Sequence, residues 1–170
     1  MKIIIHALTG LLSLLLISSN ANGHVIDDKH LDGALNMTSP ISCSVTTTDE
    51  KRVILVSLTN HSSHTWQFLS WHTPFDAWFS RFMSITVLGG ERDGETVQYQ
   101  GALAKRGEPN LEDYETLASG VNLAVELDLA QAYELPAANY LITINPFELH
   151  PVGNDSQSFT LVCPTLKLAL

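Results

Sequence analysis

From residue 41 onward the chain is built of short apolar runs, alternating or continuous, separated by turn-forming residues, and none keeps the spacing of a long amphipathic helix. Ile41-Ser42-Cys43-Ser44-Val45-Thr46 alternates, Thr47 to Glu50 turns, and Val53-Ile54-Leu55-Val56-Ser57-Leu58-Thr59 follows as a β-branched run suited to a buried strand. Asn60 to His64 is polar and turn-like. Trp66, Phe68 and Trp71 then predict a short aromatic strand with imperfect alternation, and Phe82 to Leu88 another with Ile85 and Val87 on one face. Gly89-Gly90-Glu91-Arg92-Asp93-Gly94 is a hairpin signal, because glycine supplies the positive φ such turns require, and it predicts a return strand at Thr96-Val97-Gln98-Tyr99.

Residues 101 to 113 read as a connection over the surface, and Tyr114 to Leu117 as a short edge strand. Val121, Leu123, Val125 and Leu127 alternate with Asn122, Ala124 and Glu126, the clearest strand pattern in the chain, with the four apolar side chains expected to face inward. Asp128 to Leu135 has room for one helical turn before Pro136. Tyr140 to Ile144 and Ser158 to Val162 supply the last two predicted strands. Seven or eight short antiparallel strands predict an all-β, immunoglobulin-like sandwich over residues 41–170.

Ahead of this region, Lys2 and the nearly unbroken aliphatic run Ile3 to Ile17 have the profile of a signal peptide, with Ser19-Asn20-Ala21 as the cleavage site. The run is shorter than the roughly 20 residues of a membrane span. The expected organisation is therefore a signal peptide at 1–21 and a flexible segment at 22–40, followed by the sandwich; an uncleaved anchor is the alternative. Export to the periplasm or beyond and no membrane span after cleavage follow from this reading. Cys43 and Cys163 are the only two cysteines, and in an oxidising compartment they are expected to pair, tying the first strand to the last.

The net charge of −9 and the scattered basic residues speak against a nucleic-acid partner. Candidate chemistry is sparse. None of His6, His24, His30, His61, His64, His72 and His150 is followed by glutamate. The His61/His64 pair and the His24/His30 pair, with Asp27 and Asp28 between, are weak metal candidates against solvated histidines. No Gly-x-Ser-x-Gly elbow or phosphate-binding glycine loop occurs. Glu108, Glu112, Asp113 and Glu115 cluster on a polar connection where ionised, solvated carboxylates are expected. The expectation is a non-enzyme with no cofactor and no metal. Asn36, Asn60 and Asn154 each begin an Asn-x-Ser/Thr sequon.

Leu58-Thr59-Asn60, Trp71-His72-Thr73-Pro74, Phe82-Met83-Ser84-Ile85, Lys105-Arg106-Gly107-Glu108-Pro109, Asp113-Tyr114-Glu115-Thr116-Leu117 and the run from Val125 to Tyr133 occur in that order. Together they resemble the N-terminal β-sandwich, pro-region-like part of deuterolysin-like zinc metalloendopeptidases, the aspzincin group that includes the peptidyl-Lys enzymes, over Val45 to Ile144. The Trp-x-Thr-Pro corner is expected to stop a strand and plant the Trp71 indole in the core, and Tyr140 to form a tyrosine corner. The helical His-Glu-x-x-His and further aspartate that such enzymes need for zinc are missing from this chain. The resemblance implies association with a protease's folding and latency.

The most unusual feature is aromatic density: Trp66, Phe68, Trp71, Phe75, Trp78, Phe79 and Phe82 exceed what one strand and its corner easily bury. If Trp71, Phe68 and Phe82 are core, then Phe75, Trp78 and Phe79 either form an apolar patch or cap one end of the sandwich, and on the first reading Trp71, His72, Phe75, Trp78 and Phe79 are the expected partner-binding residues. The expected function is a secreted binding protein, an inhibitor or folding chaperone of a zinc metalloprotease. The alternatives are a glycan or small-ligand module using the same aromatic loop, and a subunit adding a strand to a partner's sheet.

Overall fold

A computed structural model describes residues 39–154 and 157–170. The expected signal peptide and most of the 22–40 segment, with His6, His24, His30 and Asn36, lie outside the described residues. Ten strands are found among the described residues: β1 (Ile41–Thr47), β2 (Val53–Asn60), β3 (Trp66–Leu69), β4 (Met83–Leu88), β5 (Tyr114–Leu117), β6 (Asn122–Asp128), β7 (Asn139–Ile144), β8 (Phe147–Pro151), β9 (Phe159–Leu161) and β10 (Leu166–Ala169). All named pairings are antiparallel. One sheet runs β1-β2-β6, a second β5-β3-β8-β9, a third β10-β7-β4. The last two are halves of one layer. Phe147 faces Leu161 and Ile142 faces Leu166, so a single register carries the β8–β9 ladder into the β7–β10 ladder. The molecule is thus an all-β, antiparallel, immunoglobulin-like sandwich.

The period-two pattern places the core. Ile54, Val56 and Leu58 of β2 meet Ile85 of β4, Ile142 and Ile144 of β7 and Phe68 of β3 in one cluster, all at most 2% exposed. Each loses essentially all its apolar surface to water, worth about 1.5–3 kcal/mol per side chain. Tyr140 is buried, and its hydroxyl donates to the Pro136 carbonyl at 2.6 Å, the upstream backbone bond of a tyrosine corner. Cys43 and Cys163 form the disulfide across a separation of 120 residues, joining β1 to the link between β9 and β10.

Several details differ from the sequence reading. The strand total exceeds seven or eight because β8 and β10 escape it: Phe147-Glu148-Leu149-His150-Pro151 begins just after one proline and ends on another, and Leu166-Lys167-Leu168-Ala169 is very short. The predicted return strand at 96–99 is reduced to isolated bridges, Thr86 with Thr96 and Tyr99 with Tyr133, although the hairpin glycines Gly89, Gly90 and Gly94 do take φ of 77°, 73° and 82°. Trp71 lies past the end of β3 and is half-buried, so its indole is not in the core. On β6 only Leu127 is buried, and Val121 just before the strand is 43% exposed, because β6 stands at a sheet margin.

Candidate functional site

The aromatic loop is an insertion in the β3/β4 side of the second layer. Gln67 faces His150 and Met83 faces Ile144, so this side spends sixteen residues where β7–β8 spends six, and ten residues are pushed out of the ladder. Thr73 starts the insertion's 3-10 turns, Pro74–Phe79: its hydroxyl oxygen accepts from the Phe75 N–H at 3.2 Å, and Pro74 needs no donor there. Inside the turns the backbone is unusual. Ala77 takes φ 49°, ψ −143°, and His72 takes φ 61°, conformations costly for residues with a Cβ unless the surroundings impose them.

Those surroundings are specific. The Asp76 side chain is only 5% exposed. It accepts from the Ser80 hydroxyl at 2.7 Å and the His72 N–H at 3.3 Å, and it pairs with the Arg106 guanidinium. Arg106 reaches it by lying 5.1 Å from the Trp71 ring centroid and 6.0 Å from that of Phe79, over both rings. The Trp71 indole N–H donates to the Asp113 carboxylate at 3.1 Å, whose other oxygen accepts from the Asn110 N–H at 2.8 Å in a capping box. The Tyr99 hydroxyl lies 2.8 and 2.9 Å from the Trp78 and Ala102 carbonyls, and the Ala104 N–H donates to the Phe79 carbonyl at 2.8 Å. The connection from residue 99 to 113 is therefore a strap that braces the insertion along its length. A Cβ at Gly101 would press on the outer end of the Tyr99 ring and force that side chain to shift. Burial first, and the Asp76 charge second, raise the Tyr99 phenol above its ordinary value, so it stays a neutral donor.

The five expected partner-binding residues divide by environment. Phe75 packs edge-on to Phe68 at 5.4 Å, and Trp78 stacks on Phe82 at 5.2 Å while meeting Tyr133 edge-on at 6.0 Å. Both are half-buried and plug the end of the core, so these two rings follow the capping alternative more than the patch. Trp71 is half-buried under Arg106, and His72 is exposed. Phe79 alone of the three stands out, at 54% exposure, with Leu103 at 75% on the strap and Leu111 at 91% in the short turn before β5.

Sequence reading passes over Asp76 and names Arg106 and Asp113 without their roles in the brace. The signal was available: a carboxylate in Pro-Phe-Asp-Ala-Trp-Phe has to find a partner if the rings around it are buried. Asp113 does not share the solvated setting expected for its cluster with Glu108, Glu112 and Glu115, for it is the acceptor that orients Trp71. His61 and His64 are exposed, and the His61 Nε2 is 2.8 Å from the Ser42 hydroxyl. Among the described residues no three His, Cys, Asp or Glu side chains converge as a metal site, and no helix is long and apolar enough to cross a membrane.

Fold and loop together define a class, an immunoglobulin-like sandwich that carries a braced aromatic insertion between β3 and β4. Over 90 residues the chain is 35% identical to an extracellular protease of Aeromonas hydrophila, a match covering 53% of this chain and 24% of that protein. The chain thus corresponds to about a quarter of that relative's length. An ASH/PapD-like domain of human CEP192 aligns over 86% of this chain and 95% of its own, at 18% identity and a TM-score of 0.43. No protein-family model matches.

Proposed function

We propose that this chain is a secreted, non-catalytic accessory that grips a protein partner with the braced insertion, and that the partner is an extracellular metalloprotease which it inhibits or helps to fold. The observation that carries this reading is Phe79: a large ring 54% exposed on a backbone fixed from beneath by the Asp76–Arg106 pair. A pre-ordered aromatic contact loses little entropy on binding. The carboxylate most deeply placed in the site is committed to the brace rather than free to act on a substrate. Two further observations support it. A disulfide belongs to an oxidising, exported setting, and a protease named as extracellular shares 35% identity over 90 residues. The resemblance to the pro-region-like part of deuterolysin-like enzymes agrees with a role in latency or folding.

A glycan-stacking role is less favoured, because Trp78 spends its face on Phe82 and Arg106 covers Trp71. The test is a pull-down of co-secreted metalloproteases on immobilised protein, with protease activity and refolding yield assayed beside it. Retention that Phe79→Ala weakens by roughly tenfold or more supports the reading, as expected for a ring at the centre of an interface. No retention, no inhibition and no gain in refolding would end it.

A further inference from the structure

Among the marginal strands, β6 presents a seven-residue side with no strand hydrogen-bonded to it, and the Pro74–Phe79 turns pack nearby. β1 is tied through Cys43–Cys163 to the β9–β10 link, the outer side of β4 accepts and donates to residues 94–97, and β5, β9 and β10 are only three or four residues long. β6 runs for seven, and among the described residues only β2 pairs with it. The bonds at either end of that ladder fix its phase. The Asn60 N–H donates to the Val121 carbonyl at 3.0 Å and the Leu129 N–H to the Arg52 carbonyl at 2.8 Å, so Leu58–Leu123, Val56–Val125 and Ile54–Leu127 are the hydrogen-bonded pairs. The N–H and C=O groups of Asn122, Ala124 and Glu126 therefore point away from β2. On the inner face Leu123 and Val125 stay half-buried and Val121 is 43% exposed, although their partners on β2 are fully buried. The strand Asn-Leu-Ala-Val-Glu-Leu-Asp contains no proline and no inward-pointing charge, the usual guards of a margin.

We propose that β6 pairs antiparallel with β6 of a second copy of this chain, about a two-fold axis through Ala124, fusing the two β1-β2-β6 sheets into one. The strand is self-complementary in that register. Ala124 opposes itself, Asn122 opposes Glu126, and Leu123 opposes Val125, so small meets small, a carboxylate meets an amide, and apolar meets apolar. Every outward N–H and C=O of Asn122, Ala124 and Glu126 gains a reciprocal partner. Centring the axis on Glu126 instead would set two carboxylates face to face, a destabilising pair.

Sedimentation equilibrium of the full chain across a wide dilution series tests this, with circular dichroism as the folding control. The wild type is expected at dimer mass. Ala124→Pro, which removes an N–H that β2 does not use, and Ala124→Lys, which opposes two ammonium groups, are each expected to raise the dimer dissociation constant roughly tenfold or more. Ala124→Cys is expected to cross-link the dimer on mild oxidation, since residues in a hydrogen-bonded antiparallel pair lie about 5.5 Å apart between Cα atoms, within disulfide reach. A monomer at all concentrations overturns the proposal. So does a dimer that survives Ala124→Lys or resists the cross-link.

Discussion

Burying a carboxylate among phenyl and indole rings costs several kcal/mol unless partners are supplied, and Asp76 receives a hydroxyl, a backbone N–H and a guanidinium. Removing the guanidinium leaves the other two donors facing a stranded charge. Arg106→Ala is therefore expected to cost about 3 kcal/mol in urea unfolding, and Arg106→Ala with Asp76→Ala less than the two single losses combined. A double change no better than the sum would show that the pair is not coupled. Tyr133 gives a pH prediction. Its hydroxyl donates to the Met83 carbonyl at 3.0 Å, and burial, reinforced by neighbouring Tyr99, raises its phenol far above the ordinary tyrosine value of about 10. Above that pH the unfolded chain releases a proton that the folded chain keeps, so stability present below about pH 10 is lost as pH rises toward the folded value. Tyr133→Phe is expected to flatten this alkaline decline, at a cost of about 1 kcal/mol near neutrality for the lost hydrogen bond. An unchanged slope of unfolding free energy against pH would assign the decline to other groups. Asn60 shows the limit of a motif: its sequon is legible, but the side chain is buried and donates to the His64 and Leu117 carbonyls at 2.7 and 3.0 Å, so the folded protein offers no acceptor there.

At the scale of elements, β2 and β7 were plain in the sequence because β-branched runs bounded by turns have few other uses. β8 and β10 were not, because each owes its strand state to neighbours: β8 to β3 and β9, β10 to β7. The same dependence explains the split layer, where one register survives across β7–β8 and β9–β10 while the β3/β4 side absorbs ten extra residues. The disulfide fastens the first strand to this layer across a long loop. Replacing Cys43 and Cys163 together by serine is expected to cost about 4 kcal/mol through the freed unfolded chain. A fall of less than 1 kcal/mol in the denaturation free energy would mean that β1 is held by its ladder alone.

For the whole molecule, the braced loop and the β6 margin are neighbouring surfaces that ask for different partners. Phe79 contributes little to the core at 54% exposure, so Phe79→Ala is expected to shift unfolding by less than about 0.5 kcal/mol while weakening partner retention. Thermal unfolding beside the pull-down checks this; a large drop in the midpoint would mean that the ring is structural. Ala124→Lys is expected to do the converse, dispersing the dimer with the loop intact, and the two changes together separate assembly from recognition.

The sequence by itself determined the layer architecture, the inward face of each long strand, the cysteine pair and the crowding of rings at 66–82, because all of these are set by local period and composition. It left open whether Phe75, Trp78 and Phe79 form a patch or a cap, since nothing local says which ring turns inward. Only the tertiary structure decided that. Phe68, Phe82 and Tyr133 arrive from other positions in the chain to take up Phe75 and Trp78, and Arg106, thirty residues beyond Asp76, fixes the backbone that leaves Phe79 outside. Contacts between residues distant in sequence carry no periodic signature, so the sequence can say that Asp76 needs a partner but not that Arg106 is the one.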